Sequence, residues 1–258
     1  MLQTKRRARV ERGVTLVEGH DELALAVAAG ARVAELYLCP ELWRAPDWPL
    51  VEAVGVTGVA PVELSEAAFR KAAYREGPDG WLAVVADPAV PLASLALPPD
   101  PLVLVCEQVE KPGNLGAMLR TADAAGVAAC VAVSPATDWG NPNVVRASKG
   151  TVFTVPVASA ASDDEALAWA RAHGLRLVAA SPSGTVDYTD ADADADLAGP
   201  VAVVVGAEHE GLSERWLAEA DVAVRIPMFG RVNSLNVATS AALLLYEARR
   251  QRSRQRRG

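Results

Sequence analysis

Three stretches of this chain set glycine beside polar and charged side chains, as a loop pressed against a ligand does. They are "EQVEKPGNLGAMLR" at 107–120, "GAEHEGLS" at 206–213 and "PMFGRVNSLN" at 227–236. Each lies after a strand-like run, where a loop carrying carboxylates, amides, hydroxyls and guanidinium groups could meet a ligand. Other chemistries lack their signatures. No GxxxxGK[ST] phosphate loop occurs, no GxGxxG opens a strand–helix unit, and no HExxH is present. His20, His173 and His209 are too scattered to form a metal-ligand set. Taken singly none of the three stretches is specific, since Gly206, Glu208 and Gly211 would also suit a plain turn before a helix. As an ordered set they carry far more weight.

The surrounding pattern predicts what positions them. "PLVLVCEQV" is a continuous apolar run of the kind a strand buried on both faces shows. A glycine loop and a helix ending near Gly126 follow, then "ACVAV", "LRLVAAS", "PVAVVVG" and "VAVRIP" as further strands. In "SDDEALAWARAHG", Ser162 is the expected N-cap, Glu165 completes a capping box and Gly174 closes the helix. Alternating strands and helices predict a parallel sheet covered on both faces, with ligand loops beyond the carboxyl ends of the strands. The helix expected over 235–249 is apolar on every side, from Leu235 and Val237 to Leu243, Leu244, Leu245 and Tyr246. Such a helix must be buried on more than one side. The "DADADAD" run is expected to be a solvent-facing loop.

Upstream, "DPAVPLASLALPPDP" at 87–101 holds five prolines and is expected to be a linker. Before it the pattern predicts a small α/β domain, with helices at 20–30 and 66–74 and strands at "AELYL" and "WLAVVA". It carries no catalytic constellation. "REGPDG" at 75–80 is read as a surface turn that could touch a ligand.

The chain of 258 residues is 51% hydrophobic, enough for one large or two smaller cores. No apolar run approaches the ~18 residues of a membrane span, and no charged-then-apolar leader opens it. Cys39, Cys106 and Cys130 lie far apart in or beside apolar runs, which points to buried free thiols, a reducing cytoplasm and no zinc site. The net charge of −7 taken alone argues against nucleic acid, yet 11 of the 25 basic residues fall within residues 1–12 and 249–258. Those ends are either phosphate contacts or solvated tails.

The three stretches resemble, in order and spacing, the motifs of the SpoU (TrmH) family of the SPOUT superfamily, RNA ribose 2'-O-methyltransferases that use S-adenosyl-L-methionine (AdoMet). The matches are "PGNLGAMLRTADAAG", "VVVGAEHEGL" and "IPMFGRVNSLNVATSAALLLYE", within residues 102–250. The start "TLVEGHDELALAVAAG" more loosely resembles an L30e-like RNA-binding domain. The resemblance implies an L30e-like substrate-binding domain at 1–96 and an α/β trefoil-knot methyltransferase domain at 97–258. It implies AdoMet contacts from Gly206, Ile226, Leu235, Met228 and Ser234. Asn114 and Arg120 match the reaction centre, and Glu208, Ser234 and Asn236 the polar residues supporting it. It further implies that the C-terminal helix packs across a homodimer, with the arginines emerging where RNA could lie; the all-round apolar helix makes that dimer an obligate one, and a charge at Leu244 is expected to break it and abolish AdoMet binding together. Apolar Ile226 and Leu235 suit an adenine face, and a cofactor without phosphates explains the missing phosphate loop.

On this reading the substrate is RNA, with 23S rRNA favoured over tRNA by the N-terminal resemblance, and residues 1–86 are expected to serve RNA and not AdoMet. No metal and no membrane are expected. A non-catalytic RNA-binding protein that keeps the fold is the alternative, disfavoured by intact Arg120 and Asn236. A dehydrogenase-like nucleotide-binding domain is disfavoured by the absent dinucleotide fingerprint.

Overall fold

The computed structural model describes residues 2–190 and 197–255. Most of the acidic "DADADAD" run, and Arg256 and Arg257, therefore lie outside the described residues. In chain order the elements are α1 (Arg6–Arg12), β1 (Val14–Glu18), α2 (His20–Ala28), β2 (Val33–Leu38), α3 (Trp48–Gly55), β3 (Pro61–Glu63), α4 (Glu66–Ala72) and β4 (Trp81–Ala86). They continue with β5 (Ala89–Pro91), β6 (Leu102–Glu107), α5 (Pro112–Ala124), β7 (Ala129–Val133), α6 (Pro142–Ala147), β8 (Val157–Ala160) and α7 (Asp163–Ala172). The remainder are β9 (Arg176–Ala180), β10 (Val186–Asp187), β11 (Val201–Val205), α8 (Glu214–Glu219), β12 (Val222–Arg225) and α9 (Val237–Gln255).

Two compact units result. The first comprises residues 1–88 together with 138–154. Its sheet runs β1-β4-β2-β3, with β1 and β2 antiparallel to β4 and β3 parallel to β2. Val14, Leu16, Cys39, Phe69, Leu82 and Val84 form an apolar cluster on it. Residues 138–154 are bound in by specific contacts. Arg9 is 2% exposed and its Nη2 donates to Asp138 at 2.6 Å, a second bond running from Nε at 3.3 Å. The Thr15 hydroxyl donates to the Gly140 carbonyl at 2.5 Å. Periodicity and turn signals do not reveal this return, because it rests on pairings between groups more than a hundred residues apart.

The second unit comprises residues 89–137 and 155–258. Its eight strands, in the order β10-β12-β9-β11-β6-β7-β8-β5, are all parallel. β6, β7 and β11 are buried at every residue, which is why their sequences run apolar without alternation. α7 and α8 cover one face through Ala166, Leu167, Trp169 and Trp216, while α9 packs against α5 and β11.

The proline-rich stretch is not a free linker. Ala89–Pro91 forms edge strand β5 beside β8, and Leu92 and Leu95 join the core of this unit. Prolines are tolerated there because an edge strand leaves one row of backbone groups unpaired. The α7 cap also differs in detail. Ser162 accepts from the Glu165 amide at 3.2 Å, but Glu165 reaches back to the amide of Ala161 at 2.6 Å, one residue beyond the box. No helix among the described residues is long and apolar enough to cross a membrane.

Candidate active site

β6, β11 and β12 are parallel, so their carboxyl ends face one way and deliver the three glycine-containing loops to the same edge of the sheet. After β11 the chain turns back on itself, with Ala207 and Gly211 exchanging backbone bonds at 3.0 and 3.1 Å. Gly206 is required for that turn. A Cβ there would strike the backbone of Gly211 and Leu212. The turn leaves Glu208 pointing at the start of α5. Its carboxylate accepts from the amides of Glu110 at 3.2 Å and Lys111 at 3.3 Å, and from the Asn114 side chain at 2.7 Å.

Asn114 carries the link onward. Its Oδ1 accepts from Asn236 Nδ2 at 3.0 Å, and Asn236 Oδ1 accepts from the Ala238 amide at 2.9 Å, capping α9. The chain Glu208–Asn114–Asn236 thus joins all three loops. It also sets the Asn114 amide, since a carboxylate can only accept and must face the NH2 end. Partial burial works to raise the Glu208 pKa, but the bonds from Asn114 and from backbone amides outweigh it and hold the carboxyl below its ordinary range.

Arg120 is exposed on α5 and makes no hydrogen bond or ion pair among the described residues. Ser234 is likewise exposed and unpartnered, so neither joins the linked set. Leu235 precedes α9 rather than belonging to it, and with Ile226 and Met228 is half-buried. Phe229 is 97% exposed. Among the described residues, no backbone group of residues 226–235 takes part in a hydrogen bond. A ten-residue stretch of free backbone donors and acceptors flanked by Ile226, Met228 and Leu235 is a fitting cradle for a ligand with a flat heteroaromatic face and a polar edge.

One contributor escapes sequence reasoning. Glu107 closes β6, is buried, and its Oε2 accepts from the Ser213 amide at 2.9 Å, tying the Gly206–Ser213 loop down at its far end. Its Oε1 has no partner, and burial pushes its pKa up. Only its place at the end of an apolar strand hints at this. The described residues contain no group of three or more His, Cys, Asp or Glu able to hold a metal ion.

Both parts of the chain are similar to known proteins. Residues 101–246 match the SpoU rRNA Methylase family, and residues 1–83 match the MRM3-like substrate binding domain. The chain is 36% identical over 181 residues to the 23S rRNA (uridine(2479)-2'-O)-methyltransferase of Streptomyces viridochromogenes, covering 69% of this chain and 62% of that one. It is 39% identical over 154 residues to the 23S rRNA (guanosine-2'-O-)-methyltransferase RlmB of Ralstonia nicotianae, covering 59% and 60%. The chain thus spans about three fifths of the length of these two curated relatives. Among solved structures, that of the SpoU methyltransferase AviRb from Streptomyces viridochromogenes in complex with the cofactor AdoMet superposes with a TM-score of 0.87. It is 30% identical, covering 98% of this chain and 95% of that one.

Proposed function

The chain belongs to the SpoU rRNA methylase family, and on that footing we propose that it methylates a ribose 2'-hydroxyl of RNA, using AdoMet, with 23S rRNA as the substrate. The observation that carries the reading is the Glu208–Asn114–Asn236 chain, which fixes three loops of the family's motifs around one point. A relative that takes AdoMet and two that act on 23S rRNA support the cofactor and the substrate.

AdoMet supplies an electrophilic methyl group on a sulfonium. The unengaged backbone of 226–235 would hold it, with Ile226, Met228 and Leu235 against the adenine and Gly206 and Ser234 beside them. Asn114 has one Nδ2 hydrogen committed to Glu208 and a second left to orient the ribose. Arg120, with its guanidinium unspent, stabilises charge growing on the 2'-oxygen. Arginine keeps its own proton in proteins, so the hydroxyl proton passes to a neighbouring RNA phosphate.

A homodimer belongs to the same reading. Phe229, Val232 and Tyr246 are large apolar side chains left in solvent, and Tyr188, Ala242, Leu243 and Tyr246 line a shallow groove along α9. A second copy would cover that face. Three buried, unbridged cysteines fit a reducing cytoplasm.

The test pairs calorimetry of AdoMet binding with transfer of labelled methyl to deproteinised 23S rRNA and to tRNA. Micromolar AdoMet affinity with incorporation into 23S rRNA is expected. Incorporation into tRNA alone would overturn the substrate, and no AdoMet binding would overturn the activity.

A further inference from the structure

We propose that Arg249 is a positioning residue for methyl transfer: by holding the end of α5 it fixes that helix against α9, and so sets where Arg120 presents its guanidinium to the reacting oxygen. This rests on the methyl-transfer activity proposed above and says how the fold keeps the reaction centre in place.

α5 carries both Asn114 and Arg120, and its own sequence gives it little stiffness. Gly113 lies in its first turn and Gly116 further in, and glycine is a weak helix former. Its ends are held from outside. At the start, Glu208 accepts from the amides of Glu110 and Lys111 and from the Asn114 side chain, a negative charge where the helix dipole is positive. At the close, Ala125 caps the helix and Gly126 turns the chain with a φ of 60°. Arg249 Nε donates to the Ala125 carbonyl and Nη2 to the Gly126 carbonyl, so a positive charge sits at the opposite pole. Gly126 makes room for it. A Cβ at that position would strike Arg249 Nη2.

The two helices run side by side in the same direction. Asn114 meets Asn236, at the start of α9, at 3.0 Å, and further along both helices Arg249 meets Ala125 and Gly126. At about 1.5 Å of rise per residue, these contacts are about 17 Å apart on α5 and about 20 Å apart on α9. The arginine side chain leans towards the start of its own helix and takes up the difference. Between the two contacts the helices bury apolar side chains, among them Leu115, Met118 and Leu119 of α5 and Ala241, Leu244 and Leu245 of α9. Apolar burial resists separation but has no direction, so it permits small slides and rotations. Hydrogen bonds at both ends do not. Arg120 lies between those fixed points, and its exposed side chain has no bond of its own to hold it. Without Arg249 the last turn of α5 is free to pivot about the Asn114 end, which moves Arg120 and leaves the 226–235 cradle in place.

The experiment measures single-turnover methyl transfer to deproteinised 23S rRNA by the full chain, with AdoMet saturating and RNA varied. It compares the unaltered protein with Arg249→Ala, Arg249→Lys and Gly126→Asn, each made also in an Arg120→Ala background. AdoMet affinity and melting temperature are recorded for every protein. Arg249→Ala is expected to lower the rate at saturating RNA by roughly 10-fold to 100-fold, as misplacing a reacting group by about 1 Å does. AdoMet affinity and the RNA concentration for half-maximal rate should stay near normal. Arg249→Lys should recover part of the rate, because an ammonium keeps the charge but not the guanidinium fork. Gly126→Asn keeps Arg249 yet displaces its guanidinium, with a residue that accepts a positive φ, and should reproduce the loss even where Arg249→Ala does not fold. With Arg120 already alanine, either change should cost less than about twofold, because a residue acting through Arg120 has nothing left to position. Equal slowing in both backgrounds, as a general loosening of the fold gives, would overturn the proposal. So would an unchanged rate in the variants, or a raised RNA requirement at an unchanged saturated rate, which marks a direct RNA contact. If the unaltered protein transfers methyl and the variants keep its rate, only the role of Arg249 is wrong. If the unaltered protein transfers none, the activity has failed and this role with it.

Discussion

Asn114 and Arg120 sit six residues apart on α5, yet their surroundings assign them opposite characters. Asn114 is committed at both ends of its amide, so it positions; Arg120 is committed to nothing, so its charge is available. Arg120→Ala is therefore expected to slow single-turnover methylation at saturating AdoMet by roughly 10²–10³-fold, the loss seen when one oxyanion donor is removed, with AdoMet affinity nearly unchanged. Arg120→Lys should recover only part of the rate, because a point charge does not reproduce the guanidinium fork. A near-normal rate in the alanine variant would remove Arg120 from the reaction centre. His20 makes a second residue-scale prediction. Hydrogen bonds to Asp21 and then Asp47 raise its pKa above the ordinary histidine value and lower theirs. A raised histidine contributes stability that is complete below its unfolded pKa of about 6.5 and disappears as pH climbs through the folded value. The two aspartates contribute above their unfolded values and lose their part as pH falls through the lowered ones. The melting-temperature gap between the unaltered protein and His20→Gln should thus be widest near pH 6 and close towards pH 9. A gap independent of pH over that range would show that the contact is not linked to the titration.

α9 shows how one element serves several masters. The sequence reads as a helix apolar all round with arginines emerging towards RNA, and the structure divides those roles differently. Ala241, Leu244, Leu245 and Ala248 are fully buried within their own unit, whereas Tyr246 is 53% exposed and Leu243 half-buried. A charge at Leu244 would therefore wreck the fold rather than report on a dimer. Three of the arginines, Arg249, Arg250 and Arg252, are structural. Arg252 is buried and donates to the carbonyls of Asp100 at 2.8 Å, Pro101 at 3.0 Å and Gly199 at 2.6 Å, while Arg249 bonds the carbonyls of Ala125 and Gly126. Arg250 pairs with Glu247 at 2.5 Å. Arg252→Ala should cost on the order of 3 kcal/mol in denaturant unfolding, because it strands several buried carbonyls, and leave the salt dependence of RNA binding untouched. A flattened salt slope in a fully folded Arg252→Ala protein would return this residue to the RNA surface.

At the scale of the whole molecule, the apolar side chains left in solvent and the return of residues 138–154 matter most. Tyr246→Asp and Leu243→Asp alter the exposed side of α9 and spare its buried side, so each should convert a dimer into a folded monomer in sedimentation velocity and weaken AdoMet binding. A monomer for the unaltered protein at micromolar concentration would refute the dimer. The return of 138–154 changes how the first unit can be probed. Deleting residues 1–86 would remove the partners of Asp138, Gly140 and Lys149, so a clean separation of RNA binding from AdoMet binding calls for point changes. Asp138→Ala leaves the buried Arg9 guanidinium without its carboxylate and should destabilise this unit by about 3–5 kcal/mol. Residues 6–12 are mostly spent within the protein as well, Arg7 on Glu11 and Arg12 on Glu35, so the basic start is less of an RNA surface than its composition suggests.

The sequence by itself determined the class of the second unit and offered candidates for its site. Unbroken apolar runs such as "LVLVC" and "VAVVV", short and rich in β-branched valine, suit strands buried on both faces. The glycine-containing loops mark where a ligand would sit, and their resemblance to the SpoU motifs then implies Asn114, Arg120, Glu208, Ser234 and Asn236 as candidates. Local signals of this kind survive because each depends on residues a few positions apart. Only the tertiary structure decided which candidates touch. Glu208, Asn114 and Asn236 are linked across separations of 94 and 122 residues, while Ser234 stands free beside them. The same holds for β5 emerging from a proline-rich stretch, for buried Arg9 and Arg252, and for His20. In each a polar or charged group is satisfied by a distant partner. Periodicity cannot encode that pairing, because burial of a charge depends on what the whole fold brings to it.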